Sequence, residues 1–264
     1  MIVDTEAEAA VPPEAAEGAV QVWREQGQVC AYGYAAEGHN WLQLPGAATY
    51  RFATATEPIV AVAAAGASEG AIVDGFERTV LPLALQFFGS EALHASGVVA
   101  ANGVIALCGD SGVGKSTLAH VLSTRGHELW ADDAVAFECA PEAVVAIPLP
   151  FRPILLPSSV AAFGAPDETA SAGRVDRPLA CVVVLGRAPA GEPELSVTRC
   201  APAQALEAAI THAYCYRPDD LERNRRMIDT YLDLVARVPV FAVNFVDDLD
   251  GVSRVAERVE ALVE

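Results

Sequence analysis

The sequence predicts an α/β protein with a mixed sheet and flanking helices, preceded by a small β-rich domain. Leu179–Leu185 is an unbroken apolar run, which is typical of a central strand buried on both faces. Val104–Cys108 is a second such run, and apolar residues then recur at helical spacing over 117–124. Asn102-Gly103, with apolar runs on both sides, favours a tight hairpin and so an antiparallel partner for the second strand.

The predicted strand and helix are joined by a glycine-rich loop that matches the phosphate-binding pattern GxxxxGK[ST]. Glycines let backbone N–H groups turn inward and approach a phosphate closely. The lysine supplies a positive charge to the outer phosphates, and the serine hydroxyl can join the coordination of Mg²⁺. The alternative is a glycine-rich turn without a ligand, but strand, loop and helix in register favour binding of a nucleoside triphosphate. The expected binding residues are Gly109, Asp110, Ser111, Gly112, Val113, Gly114, Lys115, Ser116 and Thr117.

Two adjacent carboxylates, Asp132 and Asp133, follow a short apolar stretch after this helix. One carboxylate of such a pair can hold a metal ion while the other accepts a proton from an attacking hydroxyl group. A solvated turn is the alternative, but the nearby loop favours a functional interpretation. His94 lies at the start of the hairpin, which could return it to the loop, so it is either a catalytic or a structural residue.

Three segments of the chain, LHASGVV, GDSGVGKST and RGHELWADD, resemble the C-terminal kinase domain of HPr kinase/phosphorylase. They are more similar still to the smaller HPr-kinase-related proteins, some of which are found beside lasso-peptide genes. The early acidic pair is also similar to that of phosphoenolpyruvate carboxykinase. The resemblance spans Leu93–Phe137 and implies a P-loop kinase domain of the HPr kinase / phosphoenolpyruvate carboxykinase type, with ATP and Mg²⁺ as its cofactors.

The resemblance also implies roles for individual residues. Family members have active-site residues at the positions of His94, Lys115 and Asp132, and the last of these acts as a base toward a serine hydroxyl. The counterpart of Ser116 binds the metal, and Asp133 is a second candidate ligand. The expected reaction is transfer of the γ-phosphate of ATP to a serine of a peptide or protein, for example a lasso-peptide precursor. Two alternatives stay open: a kinase of a free small molecule such as serine, and a regulatory module that binds a nucleotide without turnover.

The chain departs from the family after the acidic pair. HPr kinases carry a glycine-rich signature with a metal-site Glu, and the corresponding region here, Pro148–Pro153, has no equivalent of that Glu. This departure counts against HPr as the substrate and against a reverse phosphorylase reaction. Arg152 in this region could reach a phosphate or a substrate carboxylate, or could pair with a surface acid. Arg174 and Arg177, in a polar loop, are candidates for contacting the transferred phosphate if the loop closes.

The amino-acid composition of the chain limits the kinds of molecule that it is expected to bind. A formal charge of −18 argues against nucleic acid and against an anionic membrane, because both need clustered Lys and Arg. The six cysteines form no CxxC pair, which suits a reducing cytoplasm. The uncharged run Ala92–Gly109 contains a polar hairpin turn and leads into the glycine-rich loop, so we do not expect a membrane span.

The predicted domain organisation has three parts. Residues 1–18 are acidic and rich in Ala and Pro, which predicts a disordered tail and not a signal peptide. Residues 19–90 contain short strand patterns and a helix over Gly75–Phe88 that Pro82 should kink or restart. This module has no group of candidate catalytic residues, so we expect it to capture the substrate or to form contacts in a homo-oligomer. Residues 91–264 form the kinase-like domain.

Overall fold

The computed structural model describes residues 2–4, 18–25, 27–36, 38–166, 175–217, 219–246 and 249–263. These residues form two compact units. The first unit contains the described residues of Met1–Ser90 together with Cys215–Arg226, and the second contains those of Glu91–Tyr214 and Met227–Glu264. The sequence assigned 215–226 to the second domain, whereas the structure assigns this segment to the first unit.

The first unit is built on a six-stranded sheet in the order β1-β6-β5-β4-β3-β2. Its strands are β1 (Ile2–Asp4), β2 (Gln21–Glu25), β3 (Gln28–Ala36), β4 (His39–Leu44), β5 (Ala48–Phe52) and β6 (Val60–Ala63). Strands β2 to β6 are antiparallel neighbours, and β1 pairs in parallel with β6. The sequence predicted a disordered tail over 1–18, but Ile2–Asp4 form a strand, because consecutive branched apolar residues favour the extended backbone. Residues 5–17 of the predicted tail lie outside the described residues.

A broken helix follows this sheet. It consists of α1 (Glu69–Gly75), a π-helical turn over Phe76–Val80, and α2 (Leu81–Phe88). Pro82 lies in the first turn of α2, and its missing N–H removes one helical hydrogen bond, which accounts for the irregular turn before it. The predicted interruption at Pro82 is thus confirmed, although the helix begins earlier than predicted, where the Ser68 side chain caps it.

Tyr216 explains why a segment distant in sequence belongs to the first unit. Its ring is fully buried, and its hydroxyl donates to the carbonyl oxygens of Tyr34 at 2.7 Å and Trp41 at 2.8 Å. Its backbone N–H donates to the side chain of Gln86 at 3.0 Å, and its ring stacks on Trp23. One aromatic side chain therefore connects the sheet, the broken helix and the returning segment.

The second unit is built on a nine-stranded mixed sheet. Its strands are β7 (Glu91–Leu93), β8 (Ala95–Ala100), β9 (Gly103–Gly109), β10 (Glu128–Ala131), β11 (Val135–Cys139), β12 (Val144–Ile147), β13 (Arg177–Arg187), β14 (Leu195–Arg199) and β15 (Val240–Phe245). The order is β10-β8-β9-β13-β12-β11-β7, while β15 also pairs with β13 and β14 with β15. The hairpin predicted around Asn102-Gly103 is β8–β9, and the predicted central strand is β13, so both predictions are confirmed.

Strand direction brings several chain segments to one edge of this sheet. Strand β13 is parallel to β9 and to β15, and β10 has the same direction because it is antiparallel to β8, which is itself antiparallel to β9. The carboxyl ends of β9, β10, β13 and β15 therefore meet the start of β8. We call this side of the sheet the loop edge, because the glycine-rich loop leaves β9 there.

Five helices in the described part of the chain belong wholly or in part to this unit. They are α3 (Lys115–Thr124), α4 (Pro157–Phe163), α5 (Pro202–Thr211), α6 (Leu221–Arg237), of which the part from Met227 belongs to this unit, and α7 (Leu249–Glu260). Apolar residues of α3 and α7, such as Leu118, Leu122 and Val255, pack with sheet residues such as Leu107 and Val183 in one buried cluster. Among the described residues no helix has both the length and the apolar character needed to cross a bilayer.

Two glycines of the loop allow a matched test of this architecture. Gly109 has φ +143°, and a Cβ there would lie 2.7 Å from the carbonyl oxygen of Leu185 on β13. Gly112 has φ +80° but no heavy atom within 4 Å of a Cβ. Both substitutions by Ala strain the backbone, by about 1–2 kcal/mol. Gly109→Ala adds an overlap with the sheet, worth about 1–3 kcal/mol more.

Chemical denaturation of both variants tests this expectation. The free energy of unfolding should fall clearly further for Gly109→Ala than for Gly112→Ala. Equal losses would show that β13 does not approach the start of the loop this closely.

Candidate active site

The glycine-rich loop lies between the end of β9 and the start of α3. Gly109, Gly112 and Gly114 all have positive φ angles, of 143°, 80° and 110°, which side chains disfavour. The Gly114 carbonyl accepts the first helical hydrogen bond, from Leu118 N at 2.8 Å. The first N–H groups of a helix have no acceptor within it, so the start of α3 presents donors and a positive dipole end to the loop.

Lys115 is folded back along the loop. Its side chain is 7% exposed, and Nζ donates to the carbonyl oxygens of Gly109 at 2.9 Å and Asp110 at 3.2 Å. Burial lowers the pKa of Lys115, and the nearby carboxylates, chiefly that of Asp133, oppose this shift. A buried ammonium group is therefore fixed beside the loop amides, in the position from which it could meet an anion.

Asp132 is connected to the start of α3 by a short hydrogen bond. Its Oδ1 accepts from Ser116 Oγ at 2.7 Å and from Ser96 Oγ at 2.9 Å, and its Oδ2 accepts from Ile154 N at 3.0 Å. The residue is 8% exposed. Three donors from three different segments thus fix the orientation of this carboxylate.

Asp133 faces a different environment from Asp132. Its backbone has φ +72°, and its carbonyl oxygen accepts from Tyr214 Oη at 3.1 Å and Ala95 N at 3.3 Å. Asp133 also lines the cavity at the loop edge. The left-handed turn therefore separates the two carboxylates, so that one is bonded to Ser116 and the other borders the cavity.

His94 lies between β7 and β8 at the loop edge. Its backbone N–H donates to the carbonyl oxygen of His212 at 2.7 Å, and its ring contacts Tyr214 edge to face. Burial, together with the charge of Lys115 and the neighbouring His212, lowers the pKa of His94 to about 4, which Asp132 only partly opposes. The imidazole is consequently neutral at neutral pH, and its ring nitrogen without a proton can accept a hydrogen bond.

Most of these groups border one cavity of about 600 Å³, within the size range of small-molecule sites. Asp132 is not among the described residues that line it, but it is hydrogen-bonded to Ser116, which does. Residues that line it from different segments include His94, Lys115, Ser116, Asp133, Ile154 and Arg187. A second cavity, of about 650 Å³ between α5 and α6, has no acidic or lysine side chain among its described lining residues. The first cavity is therefore the candidate active site.

Of the three arginines suggested by the sequence, the structure describes Arg152 and Arg177, and neither is among the described residues that line this cavity. Arg152 is exposed on the extended segment that lines it through Ile154. Arg177 begins β13 at the opposite edge of the sheet, 3.8 Å from Glu128, which contradicts its predicted position near the phosphates. Arg174 lies outside the described residues.

Two residues of the site were missed by the sequence analysis. Ser96 bonds to Asp132 two positions after His94, and the same hairpin signal could have indicated it. Arg187 ends β13 at the loop edge, where Nη2 donates to the Gly112 carbonyl at 3.2 Å. Its position depends on the parallel pairing of β13 with β9, which no local pattern indicates.

The residues present suit Mg²⁺ as an additional component. Mg²⁺ prefers oxygen ligands and is commonly held by one or two carboxylates together with substrate phosphates. Ser116 and Asp133 supply a hydroxyl and a carboxylate that line the cavity, and Asp132 adds a second carboxylate that is hydrogen-bonded to Ser116. Among the described residues no cluster of three or more His, Cys, Asp or Glu side chains could hold a metal by itself. A site completed by phosphate oxygens is consistent with both observations.

The shifted pKa of His94 predicts a pH dependence of stability. The folded value of about 4 lies below the ordinary value of 6.5, so between these pH values the unfolded chain binds the additional proton. The free energy of unfolding should therefore fall as the pH is lowered from about 6.5 to about 4, by at most about 1.4 kcal/mol per pH unit from this group.

Chemical denaturation of the wild type and of His94→Gln at pH 7 and pH 5 measures the contribution of this residue. The wild type should lose more stability between the two pH values than the variant does. An equal loss in both proteins would contradict a neutral, desolvated His94.

Comparison with protein-family models gives no match, and neither does comparison with curated proteins. Among solved structures, the chain is similar to the Hpr(Ser) kinase/phosphatase from Coxiella burnetii, with 15% sequence identity and a TM-score of 0.34. The similarity covers 65% of this chain and 93% of that one. Because the similarity is low, the function of this chain is inferred from its own site.

Proposed function

We propose that this protein is an ATP-dependent kinase that transfers the γ-phosphate to a hydroxyl group, that of a serine in a peptide or protein. The observation that carries the proposal is the 2.7 Å hydrogen bond from Ser116 Oγ to Asp132, which joins the end of the glycine-rich loop to the acidic pair. Lys115, Asp133 and His94 line the cavity beside it. The glycine-rich loop thus lies beside a carboxylate that could serve as proton acceptor, which is the arrangement that phosphoryl transfer requires.

Binding of the triphosphate is proposed to occur at the glycine-rich loop. The glycines place backbone N–H groups and the start of α3 toward the ligand, and Lys115 adds a buried positive charge. In the structure Lys115 Nζ donates to two loop carbonyls. Phosphate oxygens are stronger acceptors than carbonyl oxygens, so we expect Nζ to move to the outer phosphates when ATP binds.

The acceptor hydroxyl is proposed to lose its proton to Asp132. The carboxylate is oriented by Ser96 and by Ile154 N, and both of these contacts can persist when Ser116 turns toward a ligand. The neutral imidazole of His94 can accept a hydrogen bond from the hydroxyl group and so orient it. Positioning of the acceptor in line with the outer phosphate is the main task of such a site.

Ser116 and Asp133 are proposed to hold Mg²⁺, with Asp132 adjacent. When bound, the ion would neutralise charge on the outer phosphates. The side chains of Ser116 and Asp133 border the cavity, so both can turn toward a phosphate-bound ion without a change in the sheet.

The acceptor is proposed to be neutral or basic, since the chain carries a formal charge of −18. A lasso-precursor-like peptide follows from the resemblance alone, and free serine is the small-molecule alternative.

Residues 19–90 are proposed to capture the substrate or to form contacts in a homo-oligomer. All six cysteines are unpaired, which suits a cytoplasmic enzyme that uses ATP.

Substitutions of Asp132 and Lys115 test the proposal. Asp132→Asn should abolish transfer but keep ATP binding, because it removes the proton acceptor and leaves the loop intact. Lys115→Ala should weaken ATP binding about tenfold or more, since it removes a buried charge from the phosphate site, and should reduce transfer as well.

Radiolabelled ATP with candidate peptides, free serine or buffer measures transfer, and calorimetry measures binding. Asp74→Asn, on an exposed ion pair in the first unit, is the control.

Each outcome separates the candidate functions. Label on a peptide serine supports the protein kinase, label on free serine supports the small-molecule kinase, and ATP binding without label on any acceptor supports a regulatory module. Transfer at the wild-type rate in Asp132→Asn would refute the role of this carboxylate as base.

The Mg²⁺ assignment has its own test. Asp133→Asn should raise the Mg²⁺ concentration needed for half-maximal ATP binding about tenfold, because a ligand charge is lost. Glu194→Gln removes an exposed carboxylate next to the end of β15, outside the described residues that line the cavity, and should change this concentration little. Equal shifts in both variants would mean that general charge, and not coordination by Asp133, sets the Mg²⁺ requirement.

A further inference from the structure

Strands β13 and β15 end side by side at the loop edge. They are parallel, and their last residues, Arg187 and Phe245, are register partners. The preceding pair, Gly186 and Asn244, are register partners as well, so the ladder continues to the last residue of both strands. Arg187 and Phe245 are therefore held together by the backbone of the sheet.

The guanidinium group of Arg187 lies on the ring of Phe245. Its Cζ is 5.2 Å from the ring centroid, within the range of a cation–π contact. Phe245 is 3% exposed, whereas Arg187 is exposed and lines the cavity. Nη2 also donates to the Gly112 carbonyl at 3.2 Å, which fixes the group against the loop. One face of the planar group is thus covered by the ring, and the side chain itself borders the cavity.

The order of the strands places this pair away from the acidic residues. Along the sheet β10 and β8 lie on one side of β9, and β13 and β15 lie on the other. Asp132 and His94 belong to the first side, where the outer phosphate would meet its acceptor. A triphosphate held by the loop with its outer end toward Asp132 therefore directs its nucleoside toward Arg187 and Phe245.

We propose that Arg187, supported by Phe245, forms the surface on which the base of the bound nucleotide stacks. This inference rests on the proposed function, because it takes the loop as the phosphate site. Arginine suits the task, since its planar guanidinium stacks on aromatic rings and can do so on both faces. Phe245 fixes the plane before the nucleotide arrives, which lowers the entropy cost of binding.

Calorimetric titration with ATP, ADP and inorganic tripolyphosphate, all with Mg²⁺, tests the assignment. Arg187→Ala should weaken ATP and ADP about tenfold, as expected for loss of one stacked base, and should leave tripolyphosphate affinity within about twofold. Arg187→Lys keeps the charge but loses the planar surface, so it should weaken ATP nearly as much as Arg187→Ala does. Arg177→Ala, at the other end of β13, is the matched control and should change none of the three affinities.

Two results would overturn the assignment. If tripolyphosphate weakens in Arg187→Ala as much as ATP does, the side chain serves the phosphates and not the base. If neither ligand weakens, Arg187 does not contact the nucleotide. A wild-type protein that binds neither ATP nor tripolyphosphate would instead refute the proposed function, and this inference with it. Unchanged thermal unfolding of each variant shows that folding is not the cause of any loss.

Discussion

The hydrogen bond between Ser116 and Asp132 is the contact on which the candidate site depends. It joins the first turn of α3, which follows β9, to the end of β10, and β8 lies between these two strands in the sheet. Ser96 on β8 donates to the same carboxylate oxygen, so three successive segments of the loop edge converge on one atom. A buried carboxylate without these donors would be costly, and the donors therefore stabilise the site and orient it together.

The sheet creates this convergence through strand direction alone. Strands β9, β10, β13 and β15 share one direction, and their ends deliver a loop, an acidic pair, an arginine and an aromatic ring to one edge. Polar groups from both sides of the loop thus border one cavity. This arrangement follows the general rule that ligands of open α/β sheets bind beyond the carboxyl ends of the strands.

Local patterns in the sequence predicted the parts of the site that lie close together in the chain. The glycine-rich loop, the hairpin that carries His94 and the pair Asp132-Asp133 each have a short signature, and the structure brings them together. Features that depend on long-range pairing could not be predicted in this way. Arg187 and Arg177 lie at opposite ends of one strand, and only the register of β13 shows which of them reaches the loop. The insertion of Tyr216 into the first unit likewise depends on acceptors far away in sequence.

The most direct measurement is a crystal structure with Mg²⁺ and a non-hydrolysable ATP analogue. The proposed kinase predicts that the terminal phosphate lies within hydrogen-bond distance of Lys115 Nζ, about 3 Å, and that its far side faces Asp132 across a gap that admits a hydroxyl group. A terminal phosphate directed away from Asp132, or an analogue bound outside the cavity at the loop edge, would contradict the account.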